Sequence, residues 1–159
     1  MKTSRSGGQC PSRDEVGEYY TSRFGKEPSD YFKARYEALY KAYKEALRRK
    51  GVSHEDAIKI AINSPSPRFW IPIPKAYKQI RRKERGMDFS YADGSLKRKV
   101  IEKVYERYLY YRKLPTHRNK SIFTTVCWAV HSQAPSFYIS YVRALKIITA
   151  INHGEANLY

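Results

Sequence analysis

Residues 53–80 and 121–148 are two versions of one segment, aligned without a gap at a constant offset of 68 residues. Identical pairs run through both: Ala61 and Ala129, Ser64 and Ser132, Pro67 and Pro135, Phe69 and Phe137, Ile71 and Ile139, Ala76 and Ala144, Lys78 and Lys146, Ile80 and Ile148. Upstream, Tyr40 and Tyr43 keep the same register with Tyr108 and Tyr111. A duplicated chain must form one small unit twice. The boundaries fall near residues 28–86 and 95–153, with a linker at 87–94 and a tail at 154–159. Each copy is near the size, about 60 residues, at which a lone core is marginal, so the two are expected to pack on each other.

Periodicity makes both copies helical. Phe32, Tyr36, Leu39, Tyr40, Tyr43 and Leu47 recur at three- and four-residue steps, which places them on one helix face. Gly51 supplies the stop, because it tolerates a left-handed backbone. Ser53 is suited to cap a second helix with Ala57, Ile58, Ala61 and Ile62 on its apolar side. The prolines at 72 and 74 push their predecessors toward extended geometry, which predicts a stretched connector over Phe69–Ile73. A third helix then begins near Pro74, burying Ala76, Tyr77 and Ile80 and turning Lys75, Lys78, Gln79, Arg81 and Arg82 outward. The second copy repeats the scheme from caps at Ser95, Ser121 and Ser140. Its stripes are Leu96, Val100, Val104, Tyr108 and Tyr111, then Val126, Ala129 and Val130, then Ala144, Leu145, Ile148 and Ile151. The expected fold is all-α, two tandem trihelical units in the order used by helix-turn-helix domains. Residues 1–27 are expected to be a flexible arm, with a short helix or extended lead-in over Glu18–Phe24.

Charge narrows the partner. The formal net charge is +16, from 31 Lys and Arg against 15 Asp and Glu, a surplus that attracts polyanions. Phosphate backbones are the commonest such partner. An anionic membrane surface is the second candidate; no apolar run approaches the ~18 residues that would span a bilayer, and nucleic acid rather than a membrane is the expected partner. The N-terminal MKTSRSGGQCPSRDE lacks an apolar core, so no signal peptide is expected. Cys10 and Cys127 form no framework, which suits a reducing cytoplasm, and Cys127 is expected to be a small buried hydrophobe.

Within the connector, alternation points Phe69 and Ile71 one way and Trp70 the other. Phe and Ile are the same in both copies, as core plugs should be. Trp70 and Tyr138 are expected to be partly exposed, able to stack on a base or to seal a junction. The candidate nucleic-acid-binding residues are Arg68, Trp70, Lys75, Lys78, Gln79, Arg81 and Arg82 in the first copy and Tyr138, Arg143 and Lys146 in the second. Arg and Gln read base edges, so the third helix of the first copy is the expected reader in a major groove. The more apolar second copy is suited to packing. A further basic set suits phosphate contacts: Lys41, Lys44, Arg48, Arg49 and Lys50, then Arg107, Arg112, Lys113, Arg118 and Lys120.

Catalysis, metals and cofactors find no support. His54, His117, His131 and His153 are scattered, with no Cys at metal spacing. His117 and His131 as a nuclease base and acid lack any partner constellation. Glu37, Glu45, Glu55 and Glu102 lie among basic residues at helical spacing and read as surface ion pairs.

The segments Ser64–Ile80 and Ser132–Ile148 carry S-(A/P)-x-x-F-(W/Y)-I followed by x-x-x-A-x-x-I. This resembles a motif of short proteins from phages and mobile elements, roughly P-x-R-F-Y-V-S and then a helix with an Ala and basic residues. The first copy keeps Arg68 but has Pro72 where the motif has Ser; the second keeps Ser140 but has Ser136 in place of Arg. The resemblance implies a helix-turn-helix-like module and carries no activity with it. The expected function is non-enzymatic duplex DNA binding, in regulation or genome handling. The alternatives are an RNA or single-strand binder, and a structural or protein-interaction component with an incidental basic surface.

Overall fold

A computed structural model describes residues 29–154. The flexible arm at 1–27, Cys10, the lead-in at Glu18–Phe24 and the tail beyond Gly154 lie outside the described residues. The fold is all-helical: the described residues form α1 (Ser29–Leu47), α2 (His54–Ile62), α3 (Ile73–Glu84), α4 (Leu96–Lys113), α5 (Ile122–Val130) and α6 (Tyr141–Asn152). A 3-10 turn at Pro115–His117 joins α4 to α5.

Local chemistry explains where these helices begin and end. Four serines cap four of them: the hydroxyls of Ser53, Ser95, Ser121 and Ser140 accept from the backbone N–H of Asp56, Arg98, Thr124 and Arg143. Each satisfies one of the donors a helix start leaves unpaired. α3 has no such cap; Pro72 precedes it and Pro74 stands in its first turn, so it starts at Ile73, a residue earlier than the proline pattern predicts. Gly51 adopts φ 78° after α1, the left-handed geometry its place demands.

The buried faces follow the expected spacing with adjustments. Tyr36, Leu39, Tyr43 and Ala46 line the inner side of α1, whereas Phe32 is 37% exposed, its ring centroid 6.2 Å from that of Tyr36. On α3, Tyr77 is half-buried rather than buried. On α4, Ile101 joins Val100, Val104 and Tyr108 in burial, while Leu96 at the helix start is 38% exposed. On α6 the buried set is Ala144, Ile147, Ile148 and Ala150. Leu145 and Ile151 are half-buried, because one residue turns the helix by about 100° and the face centres on Ile147. Both connectors alternate as extended backbone requires: Phe69, Ile71, Phe137 and Ile139 are buried, and Trp70 and Tyr138 half-buried. Burial of a phenylalanine such as Phe69 is worth about 2–3 kcal/mol.

The helices do not group as the sequential blocks 28–86 and 95–153. The chain divides into two compact units, and each takes helices from both repeats. One comprises residues 68–133, with α3 packed on α4 and α5. The described part of the other combines residues 29–67 with 134–154, with α6 packed on α1 and α2. The third helix of each repeat is thus exchanged. Equivalent hydrogen bonds mark it in the two units: Phe69 N–H donates to Val130 O at 2.9 Å, and Phe137 N–H to Ile62 O at 3.1 Å. The physical reason lies in the connectors. They deliver each third helix away from the two that precede it, the second connector with Tyr138 in left-handed geometry at φ 50°. In the second unit Ser66 and Ala134, one repeat offset apart, form an isolated antiparallel bridge.

Candidate nucleic-acid interface

The 68–133 unit gathers most of the candidate residues around α3. Lys75 and Lys78 are exposed on its outer side, and no carboxylate pairs with either among the described residues. Arg81 and Arg82 are half-buried. The Arg81 guanidinium lies 5.8 Å from the Tyr77 ring centroid, and Arg82 Nε donates to Asp88 O at 3.2 Å. Lys83 Nζ stands 3.7 Å from the Asp88 carboxylate. The last turn of α3 thus gathers three cations, Arg81, Arg82 and Lys83, each already in contact with a neighbouring group.

Gln79 is corrected as a base reader. It is 4% exposed, its amide donates to Ser90 Oγ at 2.6 Å, and its carbonyl accepts from Ser90 N–H at 2.9 Å. A side chain with both ends satisfied inside the fold is not available to a base edge. Arg68 acts on its own connector: Nε and Nη2 donate to the carbonyls of Phe69 and Ile71 at 3.0 and 3.1 Å, and its guanidinium lies 5.2 Å over the Trp70 ring.

A groove of about 340 Å³ opens beside α3. Trp70, Lys75, Lys78, the satisfied Gln79, Tyr91 and Lys97 are among the residues that line it. A second depression, of about 430 Å³, is lined by Tyr77, Lys78, Arg81, Arg82, Arg85 and Met87. Lys78 borders both. Tyr91 escaped the sequence reading because residues 87–94 look like a spacer, and Arg85 and Lys97 flank it. Arg98 is what folds that spacer back. Its guanidinium donates to both Asp88 carboxylate oxygens at 3.0 and 3.1 Å, to Glu102 at 3.2 Å and to Tyr91 O at 3.2 Å, and stands 3.5 Å from Asp93. These hydrogen bonds hold the Asp88 carboxyl below the usual carboxylate range. Burial pushes the Tyr91 phenol up.

Tyr138, Arg143 and Lys146 belong to the other unit. Arg143 Nη2 donates to Tyr36 Oη at 2.9 Å, Lys146 is exposed, and Tyr138 takes φ 50°, a left-handed geometry that Trp70 does not share. The cations Lys41 and Lys44 on α1 and Arg48, Arg49 and Lys50 just after it are exposed on that unit. On α4, Arg112 donates to Tyr108 Oη at 2.6 Å, and that hydroxyl donates to Glu84 at 2.7 Å, so this cation is committed within the fold.

No residue set here has the geometry of a metal centre: among the described residues no three His, Cys, Asp or Glu gather closely enough. His117 is buried against Trp128, ring centroids 4.9 Å apart, and His54 Nδ1 shares a 2.7 Å hydrogen bond with Tyr43 Oη. Cys127 is buried and its thiol is pushed up to about 12, as suits a small hydrophobe. Glu55 and Glu102 form the expected ion pairs, with Lys59 at 3.1 Å and Arg98 at 3.2 Å. Among the described residues no helix is long and apolar enough to cross a membrane. No protein-family model, no curated protein and no solved structure matches this chain.

Proposed function

We propose that this chain binds duplex DNA without chemistry, presenting α3 to the nucleic acid. The observation that carries the proposal is the pair of uncompensated lysines, Lys75 and Lys78, beside a Trp70-lined groove on a chain of net charge +16. Arg81 and Arg85 extend the positive edge and carry the forked geometry that reads guanine. The exposed cations on and just after α1, with Arg143 and Lys146, give the other unit a positioning role through phosphate contacts. The likeness of both connectors to the phage and mobile-element motif supports a helix-turn-helix-like module.

The test is a salt titration of binding to random-sequence duplex. Lys78→Ala weakens binding at low salt and lowers the log-log salt slope by about 1. Lys75→Ala does the same. Unchanged affinity and slope in both variants would remove α3 from the interface. Weak binding with no preferred sequence in a selection from random duplexes would favour a structural component whose charge only accompanies nucleic acid.

A further inference from the structure

We propose that the groove beside α3 receives one unpaired nucleotide, its base against Trp70 and Tyr91 and its phosphate among Lys75, Lys78 and Lys97. The proposal rests on the reading of α3 as a DNA-binding helix and names what the adjoining groove contributes. A paired duplex offers phosphates to lysines, but the faces of its interior bases are covered by stacking. Aromatic rings in a cationic groove therefore gain from DNA only where a base is unstacked. The volume, about 340 Å³, is at the lower end of small-ligand pockets and too small for a duplex to enter.

The Trp70 ring and the loop backbone that carries Tyr91 are both tied to their surroundings before any ligand arrives. Arg68 bonds two connector carbonyls and lies over the indole, which fixes Trp70. In the loop, Ser90 is tied to Gln79 by two hydrogen bonds and the Tyr91 carbonyl accepts from Arg98. The buried Gln79, useless as a base reader, thus acquires a positioning role: it clamps the loop that carries Tyr91. A ring under a guanidinium and a tethered loop lower the ordering cost of binding, which is where a stacking site gains affinity. Lys75, Lys78 and Lys97 have no carboxylate partner among the described residues, so a phosphate would meet uncompensated charge.

The experiment compares fluorescence anisotropy of a blunt duplex with that of the same duplex carrying a short single-stranded thymidine overhang. Full-length protein is used at one fixed salt concentration. The overhang duplex is expected to bind about tenfold more tightly, the size of one base–aromatic stack. Tyr91→Ala, in an exposed loop, removes that preference and leaves blunt-duplex affinity within about twofold. Trp70→Leu removes it likewise, with circular dichroism checking the fold; Tyr91→Ala alone decides the matter if Trp70→Leu does not fold. Equal affinity for the two probes, with blunt-duplex binding intact and weakened by Lys78→Ala, overturns the nucleotide site and leaves the α3 reading standing. Failure of both probes to bind overturns both. A preference that survives Tyr91→Ala overturns the assignment to this groove.

Discussion

His117 is buried with its Nε2 unbonded, its Nδ1 3.1 Å from Thr116 Oγ1, and its ring against Tyr111 and Trp128. Burial and the nearby Lys120 charge both hold its proton affinity below the usual histidine value of 6.5. The folded state therefore favours neutral His117, whereas the unfolded chain protonates it at its ordinary value. The sign follows: this site costs nothing above pH 6.5, and stability falls as pH drops from there toward the lowered folded value. Denaturant unfolding across that window should show the loss, and His117→Phe should flatten it; a profile identical in both proteins would refute the account. Gly51 offers a simpler case. An added Cβ there meets nothing within 4 Å, yet φ is 78°. Gly51→Ala should cost about 1 kcal/mol, all of it backbone strain, measurable as a shift in the urea midpoint without a change in slope.

Among the elements, caps and stripes were the parts most legible from sequence, because both are local. A serine before an apolar run needs only its own next turn to act. Ser121→Ala should lower stability by about 1 kcal/mol through the lost bond to Thr124 N–H, read by thermal melting. The segment between α3 and α4 was illegible for the opposite reason. Its shape depends on Arg98 and Gln79, which belong to the flanking helices, and nothing in ERGMDFSYADGS announces either partner. Arg98→Ala should release it: the Ser90 amide, now bonded to Gln79, should exchange with solvent faster while α5 amides keep their protection. Asp88→Asn tests the same clasp from the other end. Because Arg98 lowers the Asp88 carboxyl, the clasp is fully charged above the ordinary value of 3.8 and is lost as pH falls below it.

At the scale of the whole molecule, the exchange of third helices was beyond sequence reasoning. Helical periodicity shows which side chains are buried but not what buries them. Two copies with the same Phe, Ile and Ala positions offer each third helix two nearly equivalent seats. Connector geometry, not side-chain preference, selects the seat on the other repeat. A chain divided between residues 86 and 87 separates α3 from α4 and α5, and α6 from α1 and α2. Neither half should then melt cooperatively as a monomer. Mixed in equal amounts, the halves should regain helicity, with a transition temperature that rises with concentration. A cooperative, concentration-independent transition in the first half alone would contradict this.

Passing through each connector once, the polypeptide makes one repeat's last helix the other repeat's closing part. Two separate chains would have to meet in solution to trade those helices. Joined in one strand, the partners hold each other at an effective concentration on the order of millimolar. The two third helices differ most at their ends: Arg81, Arg82 and Lys83 close the first, and Thr149, Ala150 and Ile151 stand at the same places in the second.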